Sequence, residues 1–236
     1  MSPQLTLLLI TALSLGFVHT AIGPDHYLPF IVMSKVKRWS ILKTAIITFL
    51  CGLGHILSSV ALGFIGIALG IAVFKLEAIE AYRGDIAAWL LIIFGFTYFI
   101  WGLRQAVRRR PHHHAHNHEE DLHAHTHGHV EGHAHVHDAE SKKTITPWVL
   151  FTIFVLGPCE PLIPLLMYPA AKGHMFHVFL VASVFGIATI ATMLTVVIVS
   201  CLGLSRLPLG ELERYSHALA GLAIFLCGGA IKFMGL

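Results

Sequence analysis

Charged side chains are scarce in this chain. Asp, Glu, Lys and Arg together make up 12% of its 236 residues, where a soluble domain carries about a quarter. That shortage excludes an ordinary water-facing surface. With 56% hydrophobic residues and a mean hydropathy of +0.73, it points to an integral membrane protein. The net charge of +3 is too small to suggest a nucleic-acid surface. Paired cysteines are missing as well: Cys51, Cys159, Cys201 and Cys227 lie in apolar segments and form no C-x-x-C motif. Nothing in their spacing reports an oxidising compartment. The opening stretch "MSPQLTLLLITALSLGF" has neither a basic n-region nor a small-residue cleavage site. It reads as a retained span rather than a removable signal.

Histidine, by contrast, is abundant. Of 18 histidines, twelve fall between His112 and His137: His112, His113, His114, His116, His118, His123, His125, His127, His129, His133, His135 and His137. This low-complexity stretch has almost no apolar anchor, which predicts a segment without fixed structure. Its alternating imidazoles, mixed with Glu and Asp, make an accessory chelator for divalent transition metals.

A membrane span needs roughly 20 apolar residues. By that measure six are expected, near 4–33, 42–74, 86–104, 147–170, 175–204 and 212–235. The second and fifth are overlong, but halving either would leave pieces too short to cross, so each is expected to be one long or kinked helix. Twelve Lys and Arg fall in the loops after the first, third and fifth spans, against four on the other side (Lys75, Arg83, Lys172, Lys232). The bias predicts both termini outside the cell membrane and the histidine-rich loop in the cytoplasm.

Two of these spans contain helix breakers. "LGFVHTAIGPDHYLPF" in the first aligns with "FTIFVLGPCEPLIPLL" in the fourth, placing Gly23-Pro24 on Gly157-Pro158. Three spans per repeat is an odd number, so the halves must insert in opposite orientations. The expected fold is an all-α membrane protein of two inverted three-helix repeats with broken first helices. The first repeat covers 1–105 and the second 147–236, joined by the histidine-rich loop at 106–146.

The polar residues around the first break are His19, Asp25 and His26. On a straight helix the two histidines would stand about 10 Å apart along the axis, too far to share one ion. A break at Gly23-Pro24 would let them converge. Imidazole with one carboxylate suits nickel, cobalt, zinc or iron(II) rather than magnesium or calcium. His55, in "CGLGHILSS" of the second span, is a further candidate ligand. Glu160 and Cys159 sit at the matching break, where Glu160 is a second carboxylate or a proton site. Ionisable groups inside spans are costly and default to function.

These residues resemble the NicO/RcnA type of nickel/cobalt transporter, including the UreH-like membrane proteins. The resemblance rests on His19 with Asp25-His26, on "LGHILSS", on "GPCEPLIP" and on the histidine-rich loop. It covers the chain in order, although five residues rather than four separate His19 from Asp25. It implies a secondary transporter, not an enzyme, that moves Ni²⁺ or Co²⁺ (or Zn²⁺ or Fe²⁺) across the inner membrane. Protons would be the counter-ion, and no organic cofactor is required. The ion would be held by His19, Asp25, His26 and His55. Homo-oligomerisation and the direction of transport stay open.

A second reading, from another class, is a membrane thiol–disulfide electron carrier of the CcdA/DsbD type. Those proteins are also three-plus-three, with a proline-flanked cysteine in the first span of each half. "GPCEPLIP" is similar to one such site, but the matching "GPDH" has no cysteine, and a disulfide needs two sulfurs in reach.

Overall fold

The computed structural model describes residues 2–108, 114–115, 124–125, 145–205 and 210–235. Among the described residues the chain is all-helical apart from a two-residue pairing of 114–115 with 124–125. The described residues form eight α-helices in order: α1 (Pro3–Ile22), α2 (Leu28–Lys37), α3 (Ile41–Ala68), α4 (Val73–Arg108), α5 (Ile145–Leu156), α6 (Leu162–Ala171), α7 (Met175–Ser205) and α8 (Ser216–Met234). Short 3₁₀ turns at Pro24–His26 and Gly210–Tyr215 precede α2 and α8. The starts of α1 and α3 are chemically marked. Ser2 accepts from the Leu5 N–H at 3.3 Å with Pro3 at the first helical position, and Ser40 accepts from the Lys43 N–H at 3.2 Å.

Among the described residues, five helices are long and apolar enough to cross a membrane: Pro3–Ile22, Ile41–Ala68, Val73–Arg108, Met175–Leu204 and Glu213–Met234. Their outward faces carry Leu7, Phe17, Phe49, Ile93, Phe179 and Val199, all exposed, as lipid contact requires. The expected count of six spans changes at the fourth. There the chain forms two short helices, α5 of 12 residues and α6 of 10, neither long enough to cross by itself. The physical cause is the Gly157-Pro158 pair, since a proline cannot continue the helical hydrogen bonding. The third span also differs. It was expected to begin at residue 86, yet α4 starts at Val73, drawing a charged stretch into the helix. The overlong second and fifth spans are single helices of 28 and 31 residues.

Small residues set the closest helix pairs. On α4, Gly95 faces the Phe225 backbone and Gly102 the Ala218 backbone of α8, while Gly221 of α8 meets Phe99 in return. On α1, a Cβ at Gly16 would stand 2.9 Å from the Phe185 carbonyl of α7. Between apolar helices in lipid, such close backbone approach replaces the hydrophobic drive that water would supply. One buried apolar cluster (Phe30, Met33, Leu150, Phe154, Met193, Ile224) and a second (Ala12, Ile56, Leu162, Leu166, Val178, Phe185) make up the interior. Buried His26, His55, Ser59 and Glu80 gather where the two helix breaks meet α3 and α4.

Candidate metal centre

The first break begins at Gly23, whose N–H still bonds the His19 carbonyl at 3.1 Å. Pro24 has no N–H to offer, so the chain tightens into a single 3₁₀ turn, Pro24–His26, before α2 resumes. This folds His26 back onto α1. The ring centroids of His19 and His26 come to 4.8 Å, nearly perpendicular at 79°. His55, brought in from α3, stands edge-on to His26 at 5.2 Å and 88°. One ligand nitrogen from each of the three rings lies within 4.8 Å of the others.

The hydrogen bonds behind this cluster define which nitrogen of His26 and of His55 is free. His26 Nδ1 lies 3.0 Å from Asp25 Oδ1 and 3.2 Å from the Gly23 carbonyl. His55 Nδ1 lies 3.3 Å from the Phe154 carbonyl. These partners only accept, so each Nδ1 carries the proton and donates it, leaving each Nε2 with a bare lone pair. The Nε2 atoms of His19, His26 and His55 are all buried without a hydrogen-bond partner. Buried polar atoms are rarely left that way. Two imidazole nitrogens on one ion at ~2.1 Å stand about 3.4 Å apart, so a small adjustment of the rings would close them on a cation. The set fits a transition metal, with the carboxylate–histidine arrangement of Asp25 and His26 behind it.

Both break glycines leave room for these rings. A Cβ on Gly23 would stand 2.6 Å from His26 Nδ1 and 2.8 Å from Asp25 Oδ1. On Gly157 it would stand 3.1 Å from His55 Nδ1. Each aligned Gly-Pro pair thus gives room to one imidazole.

The structure brings together three of the four residues expected to hold an ion and gives Asp25 the task of orienting His26. Glu160 stays apart from the cluster. It lines the adjoining cavity of about 430 Å³ with His19, Asp25, His26, Asp85 and Lys232. Lys232 Nζ pairs with Asp85 Oδ1 at 2.6 Å on that wall. Cys159 is fully buried and, like the other three cysteines, free. The accessory chelator expected at His112–His137 lies outside the described residues, apart from the pairing of 114–115 with 124–125.

Sequence reasoning missed Glu80 and Arg83. Glu80 is fully buried and pairs with Arg83 three residues on. Its other oxygen accepts from the Cys159 N–H at 3.0 Å and the Ser59 hydroxyl at 3.3 Å. Arg83 Nη2 donates to the Val155 carbonyl at 2.8 Å and to Ser58 Oγ at 2.7 Å. The signal was present: Leu76, Glu80, Ala87 and Leu91, all buried, recur at helical spacing, and Glu80–Arg83 is an i,i+3 pair.

A family model described as cytochrome c biogenesis protein transmembrane region (DsbD_2) matches residues 28–230. The chain belongs to this family. It is therefore a multi-pass membrane protein, and the bilayer is its environment. No curated protein and no solved structure matches it. Membership overturns the resemblance to NicO/RcnA-type nickel/cobalt transporters, and with it the reading as a proton-coupled nickel or cobalt transporter. The family favours the other reading, a membrane electron carrier of the thiol–disulfide kind. The motifs misled for a physical reason. A Gly-Pro break lined with imidazoles meets a local need, a polar centre inside lipid, and short motifs of that kind do not identify a whole chain. The family match includes His55, Cys159 and Glu160 but begins after His19, Asp25 and His26.

Proposed function

We propose that this protein is a membrane electron carrier of the cytochrome c biogenesis type that works through a transition-metal ion held by His19, His26 and His55. The observation that carries the reading is the convergence of three buried imidazoles whose Nε2 atoms have no other partner. The family supplies the role, electron passage within the bilayer. Disulfide exchange needs two sulfurs in reach, and the two breaks together hold one, Cys159. An iron or copper ion, both of which suit imidazole, would be held by these three rings and would supply one-electron redox chemistry there.

The chain's own part is to hold and tune that ion. His19 comes from α1, His26 from the 3₁₀ turn and His55 from α3. Asp25 fixes the His26 tautomer and ring orientation. The apolar residues Phe30, Phe154 and Leu91 keep bulk water from one side. The matched Gly-Pro breaks support two inverted repeats, and the Lys/Arg bias supports a cytoplasmic histidine-rich segment that gathers metal.

The test is metal analysis and a potentiometric titration of full-length protein in nanodiscs. One iron or copper per chain with a reversible one-electron response is expected. The ion should be lost in His55→Ala and kept in Cys159→Ser. A protein that carries zinc alone would end the electron-carrier reading while leaving the binding site. Absence of metal, together with Cys159-dependent trapping of a mixed disulfide, would return the function to thiol exchange.

A further inference from the structure

The Glu80–Arg83 pair sits in an otherwise apolar setting, with the two side chains 0% and 16% exposed. Two charges removed from water gain little net stability from each other, and apolar residues of similar volume often serve as well. What this pair has that an apolar pair would lack is directed hydrogen bonding on both sides of the second break. Arg83 holds the Val155 carbonyl before Gly157-Pro158, and Glu80 holds the Cys159 N–H after it. Adjacent to Val155 is Phe154, whose carbonyl receives His55 Nδ1. Arg83 also donates to Ser58 Oγ, and that hydroxyl donates to the His55 carbonyl at 2.8 Å. Gly157, between the two tethers, lies against the His55 ring.

We infer that Glu80 and Arg83 are positioning residues for the metal centre: they clamp the second helix break so that His55 presents Nε2 to the ion. The clamp reaches His55 by two routes, through the Phe154 carbonyl to the ring and through Ser58 to the backbone. The inference deepens the proposed function and rests on it for its metal arm. A purely structural pair would only cap the broken ends. The two roles separate on Arg83→Lys, because an ammonium restores the charge opposite Glu80 but has one nitrogen where the planar fork sets Nη1 on Glu80 and Nη2 on Val155 and Ser58 at once.

Two readouts on full-length protein test this, with Co²⁺ as the probe. In metal-free protein, nitrogen NMR of the histidine rings should show His55 as one Nδ1–H tautomer in the wild type and as a tautomer mixture in Arg83→Lys. Co²⁺ affinity should fall about 10- to 100-fold in that variant, the usual range for partners behind a ligand, with altered visible bands and an unchanged unfolding midpoint. Ser58→Ala, which removes only the hydroxyl between Arg83 and His55, should shift the same readouts in the same direction and serves if Arg83→Lys fails to insert. An unchanged His55 tautomer and unchanged Co²⁺ spectra in these variants would overturn the clamp. Failure of the wild type to bind Co²⁺ would remove the metal function, while the tautomer measurement would still decide the clamp.

Discussion

His26 and His55 meet edge to face, ring centroids 5.2 Å apart, although one sits in a 3₁₀ turn and the other in the middle of a 28-residue helix. Each ring is held from behind by an acceptor. For His26 the acceptor is the neighbouring Asp25 carboxylate, and for His55 it is the Phe154 carbonyl across the second break. What the two rings share is the space their unpartnered Nε2 atoms enclose with that of His19.

Removing a ring should remove the ion. His26→Ala and His55→Ala leave two imidazoles, and Co²⁺ affinity measured by competition with a chromophoric chelator should drop by more than about 100-fold, beyond the range seen for outer partners. Equal affinity in either variant would show that the cluster is packing alone.

Asp25→Asn keeps an acceptor oxygen beside His26 Nδ1 but removes its charge. The variant should still bind Co²⁺, about 10- to 100-fold more weakly, in line with the loss of a carboxylate behind a ligating histidine. An increase in affinity would contradict the assigned role of Asp25.

Gly23→Ala places a methyl group 2.6 Å from His26 Nδ1. Either the ring or the turn must move, at a cost of roughly 1–3 kcal/mol. Metal binding should fail in a protein that still inserts, checked by Co²⁺ titration beside far-UV circular dichroism. Full binding would mean that the 3₁₀ turn yields without disturbing the centre.

Glu80→Ala strands Arg83 without its carboxylate. Breaking a buried pair by removing one partner costs about 3–5 kcal/mol, so the unfolding midpoint in mixed detergent should fall sharply. Replacing both residues with apolar ones, Glu80→Met with Arg83→Leu, should recover much of that stability yet leave Co²⁺ binding weak. Recovery of stability and affinity together would reduce the pair to a packing element.

Acid should strip the ion. Binding requires neutral imidazoles and displaces protons from them, so affinity falls as pH is lowered. The measurement is Co²⁺ retention on dialysis at stepped pH, with chelator treatment at neutral pH as the comparison. Retention that does not change with pH would argue against histidine ligation.

Much of this could be read from composition and local pattern. Low charge and long apolar runs require a bilayer, because backbone groups in lipid must be satisfied within helices. Gly23-Pro24 and Gly157-Pro158 require helix breaks, because proline lacks the donor that continues a helix. The same local reasoning favoured metal-ligating chemistry at His19, Asp25, His26 and His55, since each is costly inside a span.

Only the tertiary structure decided how these pieces meet. Whether His55 faces the first break or lipid depends on how α3 packs against α5, and no pattern within α3 specifies that. The division between ligand and supporting carboxylate depended on where Asp25 Oδ1 points once the turn closes. Glu80 and Arg83 looked like loop charges until α4 extended back to Val73 and buried them against the second break. Contacts such as Arg83 with Val155 join residues far apart in the chain, and their geometry is set by helix packing rather than by sequence spacing.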